Sequence, residues 1–166
     1  MYNLRMWTLD IVAGEGRVGN EAGGNGLETT QLSNFTATSD NSGAKELWRG
    51  PWAGISRTNW ILTNIDKSPK ISDAKKTQYK GEAHFLRGLY YFNLVRLFGD
   101  VPWIDKQQTA SDDLQVSRTS KDIVYQHIID DFSDAASMLP AVYENTTDIG
   151  PVSYTHLRAH ETVLDL

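Results

Sequence analysis

The chain has no cysteine among its 166 residues. That excludes a disulfide framework, thiolate metal sites and a cysteine nucleophile, and it leaves the redox compartment unread. No apolar run approaches the ~18 residues of a membrane-spanning helix. Residues 1–7 lack the basic stretch and apolar run of a signal peptide. Basic charge is also in deficit: 16 Lys and Arg stand against 21 Asp and Glu, a net charge of −5. A nucleic-acid partner therefore has no electrostatic support. With 40% hydrophobic and 22% charged residues, the composition is that of an ordinary globular domain.

What is present is one long apolar helix. Between Phe85 and Phe98 only Arg87, Gly88, Asn93 and Arg96 interrupt the apolar residues. Such a helix must be covered on most sides, which places it inside a multi-helix assembly. On a helical wheel Tyr79, Ala83, Leu86, Tyr90, Leu94 and Leu97 form one stripe. Gly81, Gly88, Phe92 and Val95, with Phe85 alongside, form a second, while Lys76, Lys80, His84 and Arg87 lead the polar side. Two stripes imply two neighbours. Gly81 and Gly88 each cost ~1 kcal/mol against alanine in a helix, and their shared stripe predicts a closely approaching partner. Ser72 or Asp73 caps the start of this helix. Gly99 suits a left-handed C-cap and Pro102 blocks continuation.

Around it, residues 1–13 suggest a short helix. The segment from Gly14 to Gly43 holds seven glycines with many Asn, Ser and Thr, which is loop composition; a loop that long in a compact domain is usually functional or disordered. Residues 44–65 read as a helix in which Pro51 divides a short leading turn from a main part that begins there, since proline is tolerated at a first helical position. After a polar loop over residues 100–118, Thr119 or Ser120 caps a last helix that Pro140 ends. Its seam is Val124, Ile128, Phe132, Ala135 and Leu139.

Each constellation that suggests chemistry fails a requirement. His84 and His127 stand alone, without a partner at metal-ligand spacing, so His84 reads as a surface or half-buried helix residue. Asp130, Asp131 and Asp134 fall opposite the last helix's seam and read as a solvated face rather than an acid–base cluster. Gly14-Glu-Gly-Arg-Val-Gly19 has dinucleotide-fingerprint spacing, but no strand precedes it. Asn34-Phe-Thr36 and Asn145-Thr-Thr147 match a glycosylation pattern that is common by chance. The five tryptophans are a more open matter, because indole faces stack on sugar rings. Trp48, Trp52 and Trp60 lie at helical spacing and read as core. Trp103 reads as a plug holding its loop to the helices, and Trp7 is the least committed to a core.

The ends of the chain look cut. Residues 152–162, Val-Ser-Tyr-Thr-His-Leu-Arg-Ala-His-Glu-Thr, match the translation of a transposase adapter used in sequencing libraries. Residues 151–166 are therefore expected to be an artefactual tail, and the His156/His160 pair in it is set aside. Residues 1–150 form the N-terminal part of a larger domain on this reading, and alone are expected to be marginally stable.

In order along the chain, Trp48…Trp52-x-x-Ile55…Asn59, Gly81-Glu-Ala-x-Phe-Leu-Arg87, Tyr90-Tyr-Phe-x-Leu-Val-Arg96, Phe98-Gly-Asp-Val-Pro102, Arg118-Thr-Ser120, Val124-Tyr125, Ile128-Ile-x-Asp131 and Leu139-Pro140 resemble the SusD/RagB family. The resemblance runs from about residue 44 to 140. It implies an all-α fold of tetratricopeptide-like helical hairpins with long loops. It also implies non-catalytic capture of nutrients, foremost oligosaccharides, at the outer-membrane surface by a lipid-anchored protein, and delivery to a TonB-dependent, SusC-like transporter. No cofactor and no metal are implied. The motif residues Trp48, Asn59, Glu82, Arg87, Tyr90, Arg96, Gly99, Asp100 and Pro102 are expected to hold the structure together. Ligand contacts within this chain are expected first from Trp7 and the segment Gly14 to Gly43. Two alternatives remain: a helical-repeat scaffold for protein partners, and a glycan-processing enzyme, which would need paired carboxylates in a cleft.

Overall fold

The computed structural model describes residues 7–15, 27–109, 111–112 and 115–140, with the backbone alone for residues 7–9. The expected tail at residues 151–166 lies outside them. Among the described residues five helices follow in order: α1 (Trp7–Val12), α2 (Leu27–Ser33), α3 (Ser42–Asn64), α4 (Asp73–Phe98) and α5 (Lys121–Met138), with a 3-10 turn at Ile65–Lys67 after α3. The described residues contain no strand; Val101 and Thr119 form an isolated antiparallel bridge. The chain divides into two compact units, residues 1–52 and 53–166.

In the first unit α1 and α2 pack together. The segment from Gly14 to Gly43 is therefore not loop throughout, contrary to expectation: α2 interrupts it. Its composition misled because Leu27, Glu28, Gln31 and Leu32 are adequate helix formers set among Thr and Ser, and packing against α1 overrides weak propensity. Asn41 then starts α3 two residues earlier than expected. Its Oδ1 accepts from the backbone N–H groups of Gly43 at 2.9 Å and Ala44 at 3.2 Å, as an N-cap does. Its Nδ2 donates to the Glu28 carbonyl and to Gln31 Oε1, which fastens α2 to the cap. Pro51 is buried and does not divide the helix; α3 runs through it from Ser42 to Asn64. Trp48 and Trp52 meet edge to face, with ring centroids 5.4 Å apart.

In the second unit α4 and α5 form an antiparallel hairpin. A Cβ on Gly81 would lie 2.8 Å from Leu139 Cγ, and one on Gly88 would lie 2.8 Å from Phe132 Cε1. The two glycines are thus the places where α5 side chains press onto the α4 backbone, as their shared stripe predicts. The α5 seam of Val124, Ile128, Phe132, Ala135 and Leu139 is buried throughout. On the other stripe of α4, Tyr90 meets α3, its ring lying against Gly54 so closely that a Cβ there would be 2.2 Å from Tyr90 Cε2. Gly99 ends α4 at φ 68°, its N–H bonded to the Val95 carbonyl at 2.8 Å.

The cap of α5 is not the expected one. Ser120 occupies the N-cap position without a side-chain bond. The Asp100 carboxylate accepts from the Lys121 N–H at 2.8 Å instead, supplying from the end of α4 the negative charge favoured at a helix N-terminus.

On an exposed helix, Gly→Ala gains ~1 kcal/mol. At Gly88 the methyl would meet an aromatic ring held in the core, and overpacking of this kind costs about 1–3 kcal/mol. Gly88→Ala is expected to lower the thermal unfolding midpoint; a rise would show that α5 does not press on α4 there.

Candidate functional site

Two polar assemblies need an account. The first lies between α3, α4 and α5 and is built on Arg87. Its guanidinium forks onto Asp131, with Nε 2.8 Å from Oδ2 and Nη2 2.6 Å from Oδ1. Nη1 donates to Asn59 Oδ1 and to the Asp105 carbonyl, both at 3.0 Å. Asn59 Nδ2 donates in turn to the Ile104 carbonyl at 2.8 Å. His84 Nδ1 lies 2.8 Å from Asp131 Oδ1. Arg87, Asn59 and Asp131 are all buried.

This corrects two expectations. Asp131 is not on a solvated face: it is 2% exposed. Nor is His84 isolated, since it is half-buried against that carboxylate.

The cluster also fixes the chain after α4. Tyr91 Oη accepts from the Ile104 N–H at 2.7 Å and donates to the Ile104 carbonyl at 3.2 Å. Trp103 stacks on His127 with centroids 4.4 Å apart and interplanar angle 15°, lies 4.2 Å from the Tyr91 ring, and has Arg87 over its face at 5.5 Å. The indole is the plug that the sequence suggests. Burial raises the Tyr91 phenol well above its ordinary pKa of 10.0; the hydrogen bond from Ile104 opposes this less strongly.

Chemically the cluster is saturated. Both Asp131 oxygens are engaged by the guanidinium. His84, Asp131 and Asp134 place one donor atom each within 4.8 Å of one another, a spacing that a metal ion could use. The guanidinium on Asp131 already supplies the positive charge there, so this donor set does not fit a cation.

The second assembly is an open cavity of about 230 Å³ in the first unit, lined by Leu27, Glu28, Gln31, Thr38, Asp40, Asn41 and Ser42. Of the lining side chains, the ionisable ones are both carboxylates. Asp40 also pairs with Lys45 at 3.1 Å. Between Gln31 and Thr38 the chain makes an unusual turn. Thr36 N–H bonds to the Gln31 carbonyl at 2.9 Å and Phe35 N–H to the Leu32 carbonyl at 3.3 Å. This is the Schellman pattern that closes a helix, and it puts Phe35 at φ 57°. That conformation costs an L-residue ~1–2 kcal/mol.

The expected site residues distribute as follows. The Trp7 backbone opens α1 and its side chain lies outside the described residues, as do residues 16–26. Leu27, Glu28, Gln31, Thr38, Asp40, Asn41 and Ser42 of the expected segment line the cavity. Trp60, expected in the core, is 57% exposed, because α3 turns that face outward between buried Asn59 and half-buried Ile61. Trp48 is half-buried. Glu82 accepts from Gln78 at 2.8 Å within its own helix, and Arg96 lies over Phe92, also within α4. Pro102 is half-buried beside buried Val101. Sequence reasoning missed Asp131 as the partner of Arg87, 44 positions away. Two adjacent aspartates on a helix give no sign of which one turns inward.

Residues 5–154 match a family model, SusD-like, described as "Starch-binding associating with outer membrane". SusD-like protein P2 of Formosa agariphila is 33% identical over 111 residues, covering 66% of this chain and 22% of that protein. A laminarin-binding SusD-like protein of known structure superposes with TM-score 0.83 at 25% identity, covering 98% of this chain and 37% of that one. A SusD superfamily protein from Parabacteroides distasonis gives TM-score 0.80 at 26% identity, covering 98% of this chain and 33% of that one. The chain spans about a fifth of the length of the curated relatives it matches.

Removing Arg87 strands a buried carboxylate. Arg87→Ala is expected to lose about 3–5 kcal/mol of unfolding free energy in urea. Arg87→Lys should recover little of it, because one ammonium cannot reproduce the fork; a loss below about 1 kcal/mol in either variant would contradict the assignment. Tyr91 gives a pH test. In the unfolded chain its phenol ionises near pH 10, while the fold keeps it neutral to higher pH, so its stabilisation is intact below pH 10 and lost as pH rises above it. The fall in stability above pH 10 is expected to be shallower in Tyr91→Phe; equal slopes would show that the phenol is not held neutral.

Proposed function

The chain belongs to the SusD-like family, and on that premise we propose that it takes part in binding glycans, without transforming them, at the outer-membrane surface. We propose further that the protein is held there by a lipid anchor and passes its ligand to a TonB-dependent transporter. The observation that carries this reading is the family match across residues 5–154, whose description joins starch binding to the outer membrane. The high structural similarity to a laminarin-binding relative supports a polysaccharide ligand.

The chemistry of the two polar assemblies agrees with binding rather than turnover. Glycoside hydrolysis needs two carboxyl groups placed across the scissile bond, one of them able to act as an acid. Asp131 is committed to Arg87 and His84. Of the two carboxylates that line the cavity, Glu28 and Asp40, the second is exposed and held by Lys45 at 3.1 Å. The cavity over residues 27–42 offers carboxylate, amide and hydroxyl groups of the kind that bond sugar hydroxyls, and it is the part of this chain proposed to meet the ligand.

The test is affinity electrophoresis of the protein through gels containing starch or laminarin, with a reducing-end assay on the same mixtures. Retarded migration without new reducing ends is expected. Unretarded migration in both polysaccharides, or release of reducing sugar, would overturn the reading.

A further inference from the structure

Asn41 is 3% exposed, and its side-chain amide is fully used. Such an amide has two lone pairs and two protons. Oδ1 accepts from the Gly43 and Ala44 N–H groups. Nδ2 donates to the Glu28 carbonyl at 2.9 Å and to Gln31 Oε1 at 3.0 Å. The backbone dictates this orientation. An N–H group can only donate, so Oδ1 must face the start of α3. A carbonyl can only accept, so Nδ2 must face Glu28. The end of the Gln31 amide that meets Nδ2 must then be its oxygen. Gly43 makes room for the arrangement, because a Cβ there would lie 3.0 Å from Asn41 Oδ1 and 3.3 Å from Leu32 Cδ1.

The relay has a consequence for the cavity. Glu28 and Gln31 reach its lining from α2, and Asp40, Asn41 and Ser42 from the start of α3. Asn41 ties these two walls together. It also decides which end of the Gln31 amide is left over, and that end is Nε2, a donor. The ionised carboxylates of Glu28 and Asp40 can only accept. A lining that offers a fixed amide donor as well as carboxylate acceptors suits a ligand group that accepts and donates at once. A hydroxyl does both, whereas a carboxylate or sulfate can only accept.

We infer that Asn41 is a positioning residue for the cavity: it holds Gln31 with Nε2 as the donor to a ligand hydroxyl. It does so with no polar atom of its own left for the ligand. The inference rests on the glycan-binding reading above and names one donor within it.

The experiment compares the full chain as wild type, Gln31→Glu, Gln31→Ala, Asn41→Asp and the double variant Gln31→Ala/Asn41→Asp. It measures thermal midpoints and the affinity for a laminarin oligosaccharide. Gln31→Glu keeps the oxygen that Asn41 uses and loses the donor. It is expected to leave the midpoint unchanged and to weaken binding about fivefold, the share of one neutral hydrogen bond. Asn41→Asp keeps the helix cap but has no proton to give, so Gln31 must turn its Nε2 inward and present Oε1. A similar loss of binding is expected. Because Asn41 acts through Gln31, the double variant should bind no more weakly than Gln31→Ala. Wild-type affinity in Gln31→Glu or in Asn41→Asp would overturn the inference. So would a further loss in the double variant beyond about twofold, the scatter of independent effects, since Asn41 would then act on the ligand by another route. Each of these results leaves the glycan-binding reading standing. Failure of wild type to bind any neutral glycan, starch included, would overturn both.

Discussion

The guanidinium of Arg87 is the group on which the second unit depends. It lies between three helices and the chain that follows α4, and each of its nitrogens has a partner: Asp131 on α5, Asn59 on α3 and the Asp105 carbonyl. Withdrawing two charges from water costs several kcal/mol per ion, and only near-complete satisfaction offsets it. That condition fixes more than a contact. It dictates the rotation of α5 that brings Asp131 inward while Asp130 faces solvent. It also requires the chain after Pro102 to pass where its carbonyls can be used. A hydrophobic core alone would accept several rotations of α5, whereas this network accepts one.

The motifs that mark the family become parts of this clamp. Gly81 and Gly88 let α5 approach closely enough for Asp131 to reach Arg87. Gly99 turns the chain at the end of α4, and Asp100 then caps α5. Val101 bridges to Thr119, and Trp103 covers the guanidinium between Tyr91 and His127. These residues hold the helices and the chain after α4 in place. The residues proposed to meet a ligand lie elsewhere in the sequence, in residues 27–42, where the family motifs are silent.

The division explains what could be read from the sequence. The apolar stripes of α4 and α5, the glycine approach and the stop at Gly99 are periodic or local signals, and each was legible from spacing alone. The inward turn of Asp131 was not, because its cause is Arg87 on another helix. The exposure of Trp60 was hidden for a related reason: helical spacing places an indole on a face but does not say whether the face is covered. The helix α2 was masked by the surrounding glycine, and the strained turn at Phe35 left no trace at all, since a left-handed phenylalanine contradicts the propensity that sequence reading relies on.

The most direct test of the central claim is a double-mutant cycle on Arg87→Ala and Asp131→Ala, read as unfolding free energies in urea. If the fork holds the unit together, the two losses overlap, and the coupling should approach the upper end of the ~0.5–3 kcal/mol seen for residues in one network. Losses that simply add, within about 0.5 kcal/mol, would contradict the claim and return Arg87 to the status of one polar contact among many.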